Sequence, residues 1–371
     1  MKATVDKKIL SEALSLMLRV VERRTTIPII TNVLLKAAPD GAGLMLRVTN
    51  LDIEMETTIK AELADTGSTT VPAAMLHDIV ARMKDGAPVI IEDADKGRAV
   101  VRAGRSRFTL PTLPESDWPE LTRHDFAADF TLPGEQLAAL LGRPAFAVSH
   151  EESRYYLKGV FLHVRKQHLR AVATDGHRMA RLDTPLPEGA DGMPGVIVPE
   201  KTVKEMVKLC ETAKSGPVRL QVSTNVIRLE AGATSLVSKL IDATYPDYER
   251  VIPTGNDKTM VVEARELADA VARMMAVVAT RGHALRLSID ENGVKLDLAR
   301  IAEGIEAVEE VEADYDSAPM QIGFQSGYLA DILGSLSGKT VQVKLADPSS
   351  PTLFSDPNDA AWLTLLMPCR V

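Results

Sequence analysis

Phe130-Thr131-Leu132-Pro133-Gly134-Glu135-Gln136-Leu137-Ala138-Ala139-Leu140-Leu141 reads as an apolar strand running directly into a helix. The chain writes this pattern three times. Leu137 has counterparts at Leu10, 127 residues earlier, and at Leu267, 130 residues later. A second landmark, an apolar step into another helix, recurs at Val71, Val198 and Ile322, with spacings of 127 and 124. A period near a third of the chain far exceeds the roughly 20–50 residues of a solenoid or propeller repeat. It matches a whole small domain, so the chain reads as three tandem copies of one domain.

Working outward, each copy follows the order strand, helix, several strands, helix, several strands. In the first, Ile9, Leu10, Ala13, Leu14, Met17 and Leu18 fall at i, i+3, i+4 spacing and predict a helix from Lys7 to about Val21. Val71-Pro72 leads a second helix over 73–83, stopped at Lys84-Asp85-Gly86. The second copy carries predicted helices over 134–145 and 200–212, the third over 264–278 and 326–336. The intervening runs alternate as strands do, for example 32–37, 44–48 and 52–61. The expected class is α+β, with two helices on mostly antiparallel sheet in each copy. Proline-rich links lie at 111–119 and 245–253, and Pro119 and Pro246 are again 127 apart. The expected domains are 1–125, 126–254 and 255–371.

The composition is that of an ordinary globular protein, 45% hydrophobic and 25% charged. No apolar run reaches the length of a membrane span, and Met1-Lys2-Ala3-Thr4-Val5-Asp6 lacks a signal-peptide core. Two distant cysteines, Cys210 and Cys369, fit a reducing compartment, and the expectation is cytoplasmic. The net charge of −8 argues at first against nucleic acid, and 4% aromatics argue against single-strand stacking. Placement matters more than the total. Lys7, Lys8, Arg19, Arg23 and Arg24, then Arg82 and Lys84, Lys201, Lys204, Lys208 and Lys214, and Arg265, Arg273 and Arg281 lie on or beside the repeated helices. Acids crowd elsewhere, at Glu303, Glu306, Glu309, Glu310, Glu312 and Asp314. One reading is solvated helix faces. The other is a surface that meets phosphates without reading bases.

Thr174-Asp175-Gly176-His177-Arg178 looks locally like an acid–base site. Yet Asp175 and His177 sit across a glycine turn, with no nucleophile elbow nearby. His163, His168 and His177 lack zinc-site spacing, and no glycine-rich phosphate loop is present. No catalytic residue, metal or cofactor is expected. Arg154-Tyr155-Tyr156-Leu157 pairs two of the six tyrosines, and the chain ends on an apolar strand followed by Met367-Pro368-Cys369-Arg370-Val371. Such an end could line a groove for a peptide. A hydrolase using Asp175 and His177, and a monomeric peptide-binding scaffold, are the competing readings.

Together the threefold repeat, Arg154–Leu157, Thr174–Arg178, Tyr245-Pro246-Asp247-Tyr248-Glu249-Arg250-Val251 and Met367–Val371 closely resemble the bacterial DNA polymerase III β subunit family, the β sliding clamps. The resemblance covers the whole chain. It implies a head-to-tail homodimer, a ring of six similar DNA-clamp domains with helices lining the hole and sheets outside. Such a ring encircles double-stranded DNA without sequence preference and acts as a processivity factor with no catalysis of its own. It also implies a nucleoid-associated protein that binds short linear motifs of the polymerase III α subunit, the clamp-loader δ subunit, other polymerases and mismatch-repair proteins.

The matching pocket positions are Leu157, Thr174, Gly176, His177, Arg178, Met179, Pro246, Arg250 and Val251. From the third domain come Tyr328, Leu365, Met367, Pro368, Cys369, Arg370 and Val371. Arg24, Arg154, Tyr155 and Tyr156 would face DNA, and Phe108, Leu110 and Val277 would join the dimer. The chain departs from the family at Cys369 and Val371, where larger apolar residues are common, and at Gln325, which replaces a familiar Asn. Ala74 and Met75 stand where some relatives carry charge.

Overall fold

The computed structural model describes the chain apart from residues 23, 40, 42, 95–96, 120–124, 213–215, 278–282 and 301–304, and apart from the side chains of 299, 300 and 305. Arg23, Lys214, Arg281 and Glu303 therefore lie outside the described residues. Six α-helices are present among the described residues: α1 Lys7–Met17, α2 Ala73–Ala81, α3 Gly134–Gly142, α4 Glu200–Thr212, α5 Ala264–Ala276 and α6 Ser326–Ser335. None is long and apolar enough to cross a membrane.

The helices start where the chemistry dictates. Asp6 caps α1, its Oδ1 accepting from Lys8 N at 2.8 Å and Ile9 N at 3.2 Å, a contact worth about 1 kcal/mol. Leu10, Ala13, Leu14 and Met17 then fall on the buried face. Several helices end earlier than the periodicity predicts. After Met17 the chain tightens into i→i+3 bonds, Arg19 N to Leu16 O and Val20 N to Met17 O. The same tightening ends α2, with Arg82 N bonded to Ile79 O and Met83 N to Val80 O. The predicted helix over 134–145 stops at Gly142 because Pro144 has no N–H to continue the ladder, and Pro144–Ala147 forms a 3-10 turn instead.

The chain divides into two compact units. The first holds Met1–Leu137, Pro187–Pro194 and Lys204–Leu240; the second holds Ala138–Leu186, Gly195–Val203 and Ile241–Val371. The boundary runs through α3 and α4, because the middle repeat gives half of its strands to each unit. In the first unit Ala128–Pro133, Pro217–Val222, Val226–Ala231 and Thr234–Lys239 join Ile53–Ile59, Leu44–Thr49, Asn32–Ala37 and Ser68–Pro72 in one eight-stranded sheet. The seam between repeats is an ordinary antiparallel ladder, Thr234–Lys239 on Ile53–Ile59, with the buried hydroxyls of Thr57 and Thr234 2.8 Å apart.

In the second unit Gly159–Arg165, His168–Thr174, Arg178–Pro185 and Val196–Pro199 share a nine-stranded sheet with third-repeat strands. There the seam is Arg178–Pro185 on Trp362–Leu366. Each unit has a second sheet, of five strands in the first and four in the second. Main-chain hydrogen bonds at both seams leave no exposed strand edges where the repeats meet. The core of the third repeat packs Leu267, Val271 and Met274 of α5 and Leu329, Ile332 and Leu333 of α6 on Phe324, Val343 and Phe354 of the sheets.

Candidate functional site

The second unit brings four separated stretches onto one apolar floor. Leu157, Val172, Met179, Ile197, Tyr245, Tyr248 and Leu365 form a single buried cluster, with Tyr156 and Ile252 packed against it. Around this floor stand the Thr174–Arg178 turn, the 245–251 linker, Tyr328 at the start of α6 and the C-terminal segment. Val251 of the linker and Met367 and Val371 of the C-terminal segment are exposed apolar residues.

The Thr174–Arg178 turn is held by its own side chains. Asp175 Oδ1 accepts from His177 N and Arg178 N, each at 2.9 Å, and Oδ2 accepts from Arg178 Nε at 3.0 Å. Thr174 Oγ1 donates to Arg178 O at 2.7 Å. The Asp175 carboxylate is thus occupied in shaping the turn, not in polarising His177. Gly176 is favoured by its backbone conformation, and its missing Cβ leaves room for the Arg154 guanidinium. Its φ is +89°, and a Cβ there would meet Arg154 Nη1 at 2.6 Å. Arg154 Nη1 in turn donates to Asp175 O at 3.0 Å, which ties the Glu152–Leu157 segment to the turn.

Arg178 is buried and fully engaged. Besides Asp175, its Nη1 donates to Asp331 Oδ2 at 2.6 Å and its Nη2 to Phe146 O at 2.7 Å. Its guanidinium lies 4.5 Å from the Tyr328 ring centroid and 5.3 Å from that of Phe146. Tyr328 also stacks on His177, centroids 5.9 Å apart. Gln325 spends its side chain as the N-cap of α6, Oε1 accepting from Tyr328 N at 2.8 Å, so it sets where Tyr328 begins. The C-terminal segment docks by two main-chain bonds, Met367 N to His177 O and Cys369 N to Gly323 O, both 2.8 Å. Only glycine fits at 323, since a Cβ would meet Val371 Cγ1 at 2.3 Å and Cys369 O at 2.5 Å.

The sequence-predicted pocket residues therefore divide by burial. Leu157, Met179, Leu365 and Arg178 are buried. Gly176, His177, Pro246, Arg250, Val251, Met367, Arg370 and Val371 are exposed, and Thr174, Tyr328, Pro368 and Cys369 lie between these extremes. Phe146, Asp331 and Gly323 escaped sequence reasoning. They sit 32, 153 and 145 residues from Arg178 or its neighbours along the chain, and no local motif announces them.

In the first unit a cavity of about 1300 Å³ is bounded by Leu18, Met75, Ile79, Met83 and Phe108, with Arg82, Lys84 and Arg105 also lining it. Phe108 and Met75 are exposed there, whereas Leu110 is buried. Val277 of the second unit is also exposed. Arg24 and Tyr155 are exposed, and the Tyr155 and Tyr156 rings meet edge-on at 5.9 Å.

Many helix-borne cations carry acidic partners. Lys7 bonds Asp85 at 2.6 Å, Arg19 bonds Glu205 at 2.6 Å, and Arg273 grips Glu309 at 2.7 and 2.8 Å. Lys8, Arg82, Lys208 and Arg265 likewise pair with Glu12, Asp78, Glu211 and Asp269, so the helix cations do not form a uniform positive field.

Family models match in three consecutive blocks: DNA polymerase III beta subunit N-terminal domain over 1–122, central domain over 131–247 and C-terminal domain over 249–370. The beta sliding clamp of Caulobacter vibrioides is 42% identical over 376 residues, and that of Escherichia coli K12 34% identical over 374, each covering both chains completely. Among solved structures, the sliding clamp from Bartonella birtlesii bound to griselimycin superposes with a TM-score of 0.95 at 40% identity. The clamp from Pseudomonas aeruginosa bound to griselimycin does so with 0.94 at 34%. Both cover the whole of each chain.

Proposed function

Because the chain belongs to the DNA polymerase III beta subunit family, the beta sliding clamps, we propose that it works as a DNA sliding clamp for polymerase processivity by closing into a ring around duplex DNA. Three tandem clamp domains, with limits at 1–125, 126–254 and 255–371, make half of that ring, and a second copy joined head to tail makes the rest. Phe108 and Met75 of one copy face Val277 of the other. The cavity bounded by Phe108 and Met75 supports this reading, since a large apolar hollow on a monomer is a surface awaiting a partner.

A clamp must hold DNA without stopping on it. Contacts from Arg24, Arg154, Tyr155 and Tyr156 to phosphate supply weak attraction independent of sequence. The acidic partners of Lys7, Arg19 and Arg273 temper that attraction, which suits sliding. Retention then comes from topology rather than affinity.

The apolar floor of the second unit takes a short linear peptide from the polymerase III α subunit, the clamp-loader δ subunit, other polymerases or mismatch-repair proteins. The carrying observation is the convergence of the Thr174–Arg178 turn, the 245–251 linker, Tyr328 and the C-terminal segment on one buried cluster. An apolar cleft with a few fixed polar groups is the usual design for peptide recognition. Griselimycin bound to two relatives supports a ligand site. The chain's task in this scheme is tethering, not catalysis.

The test is retention on circular against linearised duplex DNA after loading. Persistence on the circle with rapid loss from the linear form is expected, and equal loss from both would refute encirclement. His177→Ala should weaken griselimycin binding and leave retention on the circle intact.

A further inference from the structure

The exposed wall of the pocket cannot hold itself in place. Of the linker 245–251, only Tyr245 and Tyr248 are buried, while Pro246, Arg250 and Val251 are exposed. Exposed loop residues gain no burial energy from one conformation over another, so their position is inherited from the two buried tyrosines and from Glu249, which Arg165 and Arg170 grip. Tyr245 stacks flat on Phe161, centroids 4.7 Å apart and planes 6° apart, and Phe161 stacks on His163 at 4.4 Å. Tyr248 is held by its hydroxyl, which lies 3.0 Å from His163 Nε2 and accepts from Arg170 Nη1 at 3.1 Å.

Arg170 is itself fixed from below. Its Nε and Nη2 bond Asp183 as a fork at 2.6 and 2.8 Å, and its Nη1 reaches Glu249 at 3.2 Å. Arg165 closes the far side with a second fork onto Glu249, at 3.0 and 2.7 Å. His163, Arg165, Arg170 and Asp183 stand on the strands Gly159–Arg165, His168–Thr174 and Arg178–Pro185 of the second unit, a rigid, paired sheet, while Glu249 belongs to the linker itself. Bidentate Arg–carboxylate geometry fixes direction as well as distance.

We propose that Arg170 and His163 are positioning residues of the peptide pocket: through the Tyr248 hydroxyl they lock the 245–251 linker, so that Pro246, Arg250 and Val251 are presented in a binding-ready arrangement. The inference rests on the pocket reading above. Both side chains are spent on partners within the protein. Their contribution is to remove the ordering cost that a loose wall would add to every binding event.

Tyr248→Phe deletes only the hydroxyl shared by the two residues and keeps the buried ring, and Arg170→Lys keeps the charge without the fork. Griselimycin affinity is measured by calorimetry on the full chain, beside thermal melting and retention on circular DNA. Tyr248→Phe should raise Kd about five- to tenfold, chiefly through faster release, with melting and retention close to wild type. Arg170→Lys should raise Kd likewise and keep retention, but with a lowered melting temperature because the buried Asp183 loses its fork, so its Kd is read where the variant is fully folded. Glu249→Gln, which loosens only the exposed arm, should change Kd less than about twofold. Wild-type Kd in Tyr248→Phe and Arg170→Lys would overturn the proposal while leaving the pocket reading intact. A fall in affinity that merely follows a fall in folded fraction would overturn it as well. Failure of the wild-type chain to bind griselimycin would remove both readings together.

Discussion

Arg178→Ala is the substitution to which the second unit should be most sensitive. The wild-type side chain is 8% exposed and joins three parts of the unit: its own turn through Asp175, the Pro144–Ala147 turn through Phe146 O, and α6 through Asp331. Breaking a buried pair by removing one partner costs about 3–5 kcal/mol, and each lost bond to a charged group about 1.5–3 kcal/mol. These figures overlap rather than add, because the carboxylates left behind are not equally stranded. Asp175 keeps the amides of His177 and Arg178, and the Asp331 side chain is 30% exposed and reaches water. The expected loss therefore sits near the low end, about 3 kcal/mol.

For a unit of this size that loss lowers the melting temperature by roughly 6–12 °C. Thermal melting and urea denaturation of the full chain give the number directly. Arg178→Lys should recover little of the loss, since one ammonium cannot span three acceptors in different directions. Arg250→Ala is the control. That side chain is 84% exposed and pairs with Asp247 at 2.7 Å, and its loss should cost less than about 0.5 kcal/mol. A loss below about 1 kcal/mol for Arg178→Ala, or full rescue by lysine, would refute the keystone role.

His163 supplies a pH test. Burial first, then the Arg170 guanidinium, push its pKa from 6.5 down to about 4, against the opposing pull of Asp183 and Glu249. The folded ring stays neutral where the unfolded one takes a proton, so its contribution is intact above pH 6.5 and is lost as pH falls toward 4, by at most about 1.4 kcal/mol per pH unit. His163→Gln should flatten the stability profile in that window; parallel profiles for variant and wild type would contradict the assignment. Thiol labelling at pH 8 separates the two cysteines. Cys210 is buried and its thiol is pushed up to about 11 by burial and Glu211, so iodoacetamide should modify Cys369 first in the native chain. Faster labelling of Cys210 would show that α4 opens readily.

The architecture was legible because its signals are local and repeated. Periodicity placed all six helices, and the equivalent landmarks counted three copies without any knowledge of contacts. What periodicity missed were the ends. Pro144 was visible in the sequence, yet the apolar pattern ran past it to Ala145, and steric chemistry at the proline overruled the pattern. The division of the middle repeat between two units was not legible either. Strand pairing across a seam depends on which edges meet, and residues 178–185 carry no mark naming 362–366 as their partners.

The site divides in the same way. The strings at 154–157, 174–178, 245–251 and 367–371 identify themselves, because turns, paired aromatics and an apolar terminus are features of consecutive residues. Their roles depend on neighbours far along the chain. The enclosure of Arg178 by Asp331 and Phe146 and the burial of Leu110 have no mark in the sequence. That Asp85, Glu205 and Glu309 pair with Lys7, Arg19 and Arg273 is likewise absent from the local sequence. By itself the sequence determined the repeat, the fold class and the family likeness, all of which rest on local pattern and composition. Only the tertiary structure decided which charges are spent on partners and which side chains hold the linker, because burial and pairing arise from distances the linear chain does not contain.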